Sequence, residues 1–332
     1  MRDASIIIGD CLASLRGLPD QSVHTCVTSP PYFGLRSYLP DYHPQKALEI
    51  GLDETPEAYV ARLVEVFREV RRVLRDDGTL WLNLGDSYAA TGGKSQPHRD
   101  SSGGIGNKGT RGEQGYHAAG GGFIRQRTAR DNIKPKDLIG IPWRVAFALQ
   151  ADGWFLRQDI IWHKPNPMPE SVTDRCTKAH EYVFLLSKSA RYFFDAEAIK
   201  ERGVIPAGTK AAKGSAARAA QPGVNGRPPE YKVYDGTRNR RSVWTVTTKP
   251  YSGAHFATFP PDLIEPCILA GSPRGGTVLD PFGGSGTTAG VAIKYGRRAI
   301  LCELNDGYEP LIRERIRSIA GDVGDMFMEA AE

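Results

Sequence analysis

Cysteine is scarce and scattered in this 332-residue sequence. Its five cysteines stand at 11, 26, 176, 267 and 302, and no two form a CxxC pair. That spacing supports neither a zinc cluster nor a disulfide framework. No apolar run reaches the 18 residues that suggest a membrane-crossing helix. The opening MRDASIIIGDCL has too short an apolar stretch for a secretory leader. No internal repeat is visible. These absences point to the reducing cytoplasm, with no membrane involved.

What the chain has instead is unevenly placed charge. The net charge is +5, yet residues 91–136 hold nine Lys/Arg against three Asp/Glu, and residues 201–249 hold ten against three. The rest of the chain is therefore acidic. Both basic stretches are rich in glycine and poor in hydrophobic periodicity. Solvated loops would look like this, and so would arms that meet a polyanion while an acidic body stays soluble. Elsewhere, apolar runs of strand length alternate with helical periodicity. SIIIGD (5–10), VHTCVT (23–28), TLWLNLGD (79–86), FLRQDIIWHK, EYVFLLSKS, TVLD and RAILCELN read as strands. Residues 55–78 read as an amphipathic helix, opened by Pro56 and stopped by Gly78. Alternation of this kind predicts a doubly wound, mostly parallel sheet in an α/β fold. A polypeptide of this length with 40% hydrophobic residues can bury a sizeable core.

Two loops carry the chemistry. In TVLDPFGGSGTT a buried strand ends in Asp280-Pro281-Phe282, passes Gly283, Gly284 and Gly286, and enters a helix at Thr287. Glycines allow close approach to the backbone, and a helix N-terminus adds a positive dipole. No Gly-Lys-Ser/Thr follows, so this is not a phosphate loop. The next strand ends in Glu303, 23 residues after Asp280, where an acid can accept hydrogen bonds from ribose hydroxyls. A nucleoside ligand follows. The other loop is TSPPY (28–32). Each residue before a proline is pushed towards an extended conformation, and proline offers a carbonyl without a competing N–H. The Ser29 hydroxyl and the Pro30 carbonyl are thus fixed acceptors, suited to a planar NH₂ group. Tyr32 supplies a flat face, as a flipped nucleobase would require. The plain structural alternative is a strand end broken by proline, with a core tyrosine.

Together the two loops resemble the amino-methylating DNA methyltransferases that use S-adenosylmethionine. DPFGGSGTT looks like their cofactor loop, D-P-F-x-G-[ST]-G-T, and TSPPY like their [DNS]-P-P-[YFW] motif. The catalytic motif comes first, and a basic segment separates the two, which resembles the β class. The resemblance implies a seven-stranded Rossmann-like sheet, its last strand antiparallel. It also implies that Ser29, Pro30, Pro31 and Tyr32 hold the target base. Asp280, Pro281, Phe282, Gly284, Gly286 and Thr287 would line the methionine end of the cofactor, with Glu303 on the ribose and Asp10 on the adenine edge. His255, Thr258 and Phe259 would touch the cofactor ahead of its loop. Residues 1–90 and 135–200 would form the catalytic half and 253–332 the cofactor half. Residues 91–134 would be a basic insertion and 201–252 the target-recognition segment.

Double-stranded DNA is the expected partner, with Arg36, Lys164, Arg238, Arg240 and Arg241 as its contacts. A cognate restriction endonuclease is a further possible companion. Ser29 favours the N4 amine of cytosine, because in the resembled family a carboxylate at that position goes mostly with adenine N6. Adenine N6 is the alternative, and a nicotinamide-dependent oxidoreductase or a non-catalytic DNA-binding module are more distant ones. C5-cytosine chemistry needs a nucleophilic cysteine. Pro266-Cys267 is followed by Ile268 on an apolar helix face and reads as core. His163 reads either as pocket lining or as a strand end, and Glu181 as a structural partner.

Overall fold

The computed structural model describes residues 4–89, 133–212, 231–248 and 258–321. In chain order the elements begin with β1 (Ala4–Ile8), α1 (Cys11–Arg16), β2 (Val23–Thr28), α2 (Pro56–Val73) and β3 (Leu74–Leu84). Then follow α3 (Ile141–Ala151), β4 (Phe155–His163) and β5 (His180–Ser187). Five short strands come next: β6 (Glu201–Arg202), β7 (Lys210–Ala212), β8 (Tyr231–Val233), β9 (Thr237–Arg238) and β10 (Val243–Thr245). The described residues close with α4 (Pro261–Gly271), β11 (Thr277–Asp280), α5 (Thr287–Lys294), β12 (Arg298–Glu303) and α6 (Glu309–Ala320).

The main sheet has eight strands in the order β1-β12-β11-β2-β3-β5-β4-β10. Every neighbouring pair is parallel except those of β5, which runs antiparallel to both β3 and β4. Seven of these strands make the expected doubly wound sheet. The eighth, β10, comes from the segment read as target recognition and extends the edge beside β4. It joins because Val243-Trp244-Thr245 suits a pleated surface and Trp244 buries itself there, its Nε1 donating to the Arg241 carbonyl at 2.7 Å. The remaining short strands pair as β6 with β9 and β7 with β8.

Helices cover both faces. On one, α1, α2 and α3 pack Leu15, Leu63, Phe67, Val145 and Leu149 against the sheet. On the other, α4, α5 and α6 pack Leu263, Ile268, Val291, Ile312 and Ile316. Helix α2 shows how the sequence dictates its element. Thr55 accepts a hydrogen bond from the Ala58 N–H at 3.1 Å, and Pro56 opens the first turn. Its buried stripe of Tyr59, Leu63, Val66, Phe67, Val70 and Val73 recurs at helical spacing, each large side chain contributing about 1.5–3 kcal/mol on full burial. The helix stops at Val73 rather than at Gly78. Leu74 takes an extended conformation and the chain enters β3 at once. Gly78 lies inside that strand, where a Cβ would stand 3.1 Å from the His24 carbonyl and 2.9 Å from that of Arg75, so the position requires glycine.

This winding positions the site. From β2 the chain crosses to β3 on one side, while from β11 it crosses to β12 on the other. The strand order therefore reverses between β2 and β11. Ligands of open α/β sheets bind outside the strand C-termini at such a reversal. Ser29 follows β2, and Asp280 ends β11.

Candidate active site

The two loops are bonded to each other. The Thr28 hydroxyl donates to Asp280 Oδ1 at 2.6 Å, the Thr288 hydroxyl to Oδ2 at 2.6 Å, and the Phe282 N–H to Oδ1 at 3.0 Å. Asp280 is buried, and burial pushes its carboxyl up to about 6. Its side chain therefore fastens β2, β11 and α5 at the reversal point. Its removal would strand three donors, so a loss of binding in Asp280→Ala would report damage to the fold as much as a lost ligand contact.

Beside this knot lies a cavity. Asp10, Ser29, Pro31, Thr258, Phe259, Asp280, Pro281, Phe282, Gly284, Thr287 and Glu303 all line it. Sequence-read residues from both loops thus share one wall. Gly286 is not on the lining, and His255 lies outside the described residues. Asp10 also caps α1, its Oδ2 accepting from the Ala13 N–H at 2.9 Å. Glu303 is held by two backbone donors, Gly284 N–H to Oε2 at 2.8 Å and Asn305 N–H to Oε1 at 2.9 Å. Burial nevertheless raises its carboxyl to about 7. Each oxygen keeps a lone pair for a ligand hydroxyl.

The glycines of this loop divide their work. At Gly284, φ is +51° and a Cβ would meet only the Phe282 carbonyl, at 3.8 Å. That is the open approach expected for a ligand. At Gly286, φ is +84° and a Cβ would fall 2.8 Å from Ile312 Cγ2 of α6, so this glycine serves helix packing. Gly286→Ala should lower stability by about 1–3 kcal/mol through the left-handed backbone and the overlap. Denaturant unfolding against the parent protein measures it, and an unchanged midpoint would refute this division.

The TSPPY loop is equally fixed. The Pro31 carbonyl accepts from the Tyr59 hydroxyl at 2.8 Å. No donor among the described residues reaches the Pro30 carbonyl. The Ser29 hydroxyl lies near enough to the Tyr32 phenol to oppose the upward push that burial gives it. In turn the Tyr32 hydroxyl donates to Glu181 Oε2 at 2.8 Å. Asn83 Nδ2 donates to the Tyr182 carbonyl at 3.0 Å and to Glu181 Oε2 at 3.3 Å. Lys164 Nζ pairs with Glu181 Oε1. Burial and the Glu181 charge push the Tyr32 phenol well up, so it stays a proton donor. Its ring lies over Gly85, where a Cβ would stand 2.5 Å from Cε2. Tyr32 is thus held at its hydroxyl by Glu181 and at its ring by the close approach of Gly85.

Sequence reading missed Asn83 and Glu49. A polar residue inside the apolar run WLNLGD was the signal for Asn83, since buried polar groups are the informative exceptions. Glu49, 4% exposed, accepts from the backbone N–H groups of Tyr38 and Leu39 and pairs with Lys46 Nζ at 2.9 Å. It folds residues 37–50 over the cavity, and Tyr38, Leu39, Leu48 and Ile50 join the lining. Arg62 of α2 fastens the same loop through the carbonyls of Glu49 and Leu48, both at 2.7 Å.

The proposed DNA contacts are placed less openly. Lys164 is committed to Glu181, and its ammonium lies 4.2 Å from the Trp162 ring centroid. Arg238 and Arg241 each donate from Nε to Glu201 Oε1 at 2.8 Å. Arg240 stacks on Trp244 at 4.7 Å, with its Nε buried and unbonded. Arg36 is half-buried, near enough to Tyr38 to oppose the upward push that burial gives that phenol. His163 Nδ1 is 3.1 Å from the Thr245 hydroxyl. Cys267 is fully buried and its thiol pushed up by burial, so it is core and no nucleophile.

Residues 23–314 match the family N6_N4_Mtase, described as DNA methylase. The chain is 44% identical over 317 residues to the type II methyltransferase M.Cfr9I of Citrobacter freundii, covering 96% of this chain and 89% of that protein. It is 43% identical over 316 residues to the type II methyltransferase M.SmaI of Serratia marcescens, with 95% and 91% covered. Among solved structures, PvuII DNA methyltransferase (cytosine-N4-specific) gives a TM-score of 0.60 at 19% identity, over 98% of this chain and 93% of that one. A putative DNA modification methylase of Thermus thermophilus, complexed with S-adenosyl-L-methionine, gives 0.54 at 24% identity, with 96% of both chains covered. At such identities the two structures speak for the fold.

Proposed function

This chain belongs to the N6_N4_Mtase family of DNA methylases, and from that premise we propose that it methylates the N4 amine of a flipped cytosine in double-stranded DNA, using S-adenosylmethionine. The observation that carries this reading is the pair of acceptors beside the cavity. The Pro30 carbonyl accepts from no donor among the described residues, and the Ser29 hydroxyl oxygen has two lone pairs to offer an amine.

The cavity suits the cofactor. Glu303, held by backbone donors at the end of β12, would take the ribose hydroxyls. Phe259, Phe282 and Leu304 give apolar walls, and Gly284 leaves the loop backbone open to approach. The cofactor supplies an electrophilic methyl group. The protein's own part is placement. Ser29 Oγ and the Pro30 carbonyl accept the two amine hydrogens, draw density from the N–H bonds and turn the nitrogen lone pair out of the ring. Glu181 holds Tyr32 beside Ser29. Positioning and fixed dipoles carry most of the acceleration.

Cytosine is favoured over adenine because, in the resembled family, a serine at position 29 goes mostly with cytosine N4 and a carboxylate with adenine N6. Residues 91–134 and 201–252 are the natural DNA-facing segments, since they hold the positive excess. A companion restriction endonuclease and a cytoplasmic setting accord with the type II relatives. DNA treated with the protein and cofactor, digested and analysed by mass spectrometry, should contain N4-methylcytosine. N6-methyladenine alone would overturn the cytosine assignment and leave amino-methylation standing. Diverse DNA with neither base modified would sink the enzyme reading.

A further inference from the structure

The connection between β4 and β5 leaves the sheet from the same edge as Ser29, because β4 runs parallel to β2 and β3 within the sheet. Residues 164–179 carry no regular secondary structure. An unstructured connection longer than about 12–15 residues inside a compact domain is usually functional. Both legs of this one are fastened. Lys164 pairs with Glu181, the residue that holds Tyr32. The Asn166 side chain bonds the Thr248 backbone reciprocally, donating to its carbonyl at 3.1 Å and accepting from its N–H at 3.0 Å. Farther along, Arg175 pairs with Glu170 at 2.9 Å and lies 3.8 Å from the Tyr88 ring centroid.

Between the fastenings stands Pro167-Met168-Pro169. The prolines fix their own φ and push Met168 into an extended conformation. Met168 is nevertheless 87% exposed, and it is the sole methionine among the described residues. A single exposed apolar side chain is unremarkable by itself. This one is presented on a stiffened, doubly anchored loop, and its Cα lies no farther than about 14 Å from that of Lys164, four residues at full extension. A base that leaves a duplex opens a gap between stacked neighbours. Apolar wedges such as methionine and proline insert between base steps in other DNA-binding proteins, and such a gap is an opening of similar width.

We infer that Met168, braced by its two prolines, inserts into the DNA stack and occupies the space vacated by the target base. This rests on the amino-methyltransferase reading above. The ligand is the duplex itself, and the loop acts on flipping and not on methyl transfer.

The test compares Met168→Ala and Met168→Leu with the parent protein on two duplexes. One carries the target base correctly paired. The other carries it opposite an abasic site, where unpairing costs little. On paired DNA, Met168→Ala should lose about ten-fold in kcat/KM, with a matching loss of 2-aminopurine fluorescence when that probe replaces the target base. On the abasic duplex the deficit should shrink to within about two-fold, and Met168→Leu should restore most activity on paired DNA. Calorimetric cofactor affinity should be equal in all three proteins. Equal activity of Met168→Ala and parent on paired DNA, or an equal loss on both duplexes, would overturn the inference. Parent protein that methylates neither duplex would overturn the reading beneath it.

Discussion

Ser29→Ala should reduce methyl transfer by about 10²–10³-fold, the usual consequence of deleting one preorganised polar group from an active site, while cofactor affinity stays nearly unchanged. Both halves follow from position. Ser29 touches the cavity wall, yet the groups placed to bind a nucleoside, Glu303 and the Gly284 backbone, lie on β12 and the β11 loop. The Pro30 carbonyl would remain, so one amine hydrogen would keep its acceptor and the other would lose its own. Tyr32→Phe should give a milder loss of the same kind, because it keeps the ring and removes only the hydroxyl that Glu181 and Asn83 hold. Glu181→Gln keeps the acceptor for the Tyr32 hydroxyl while removing the charge that pairs with Lys164, so it should fall between the parent and Tyr32→Phe. Single-turnover rates together with calorimetric cofactor binding separate the two halves. Full turnover in Ser29→Ala, or a fall in cofactor affinity as large as the fall in rate, would refute the assignment.

The parts legible in the sequence were those that short-range rules control. Alternating apolar runs gave the strands, a stripe at helical spacing gave α2, and two loops at strand ends gave the site. Their reversal-point geometry follows from ordinary winding once β2 and β11 are neighbours. What escaped was set by long-range partners. Gly78 has the composition of a helix stop, but it lies inside β3, close against the His24 carbonyl. Gly286 reads as a ligand glycine, and α6 also lies against it, which the sequence does not show. Asp280 reads as a cofactor contact, and it also fastens Thr288, Phe282 and, far from it in sequence, Thr28. Asn83 matters through Glu181 and Tyr182, far from it in sequence, and Glu49 through the Tyr38 and Leu39 backbone across a loop. The arginines at 238 and 241 read as free cations, and a single carboxylate, Glu201, holds both.

Cofactor affinity should rise with pH between about 6 and 8, by up to ten-fold, and the rise should vanish in Glu303→Gln. The carboxyl of Glu303 is raised by burial from 4.5 to about 7, against the pull of the Asn305 and Gly284 N–H groups. In the unfolded chain it loses its proton near 4.5, so between 4.5 and 7 the folded protein binds more protons. Stability contributed by this group therefore falls as pH rises through that window. Binding reverses the balance. Two ligand hydroxyls donating to the ionised carboxylate favour the charged form and lower its proton affinity. The cofactor then binds the ionised protein best, and each binding event below about pH 7 expels part of a proton. One pH unit below the folded value, about a tenth of the carboxylates are ionised, which sets the ten-fold ceiling. Asp280, raised by burial to about 6, titrates lower and has its oxygens occupied, so it adds little above that value. Titrations at about pH 6, 7 and 8 in buffers of different ionisation enthalpy measure both the affinity and the released proton. Glu303→Gln should bind more weakly than the parent at the alkaline end, because a neutral amide offers the hydroxyls a single, weaker acceptor, and it should release no proton. An affinity independent of pH in the parent protein, or the same slope in Glu303→Gln, would remove Glu303 from the ribose site.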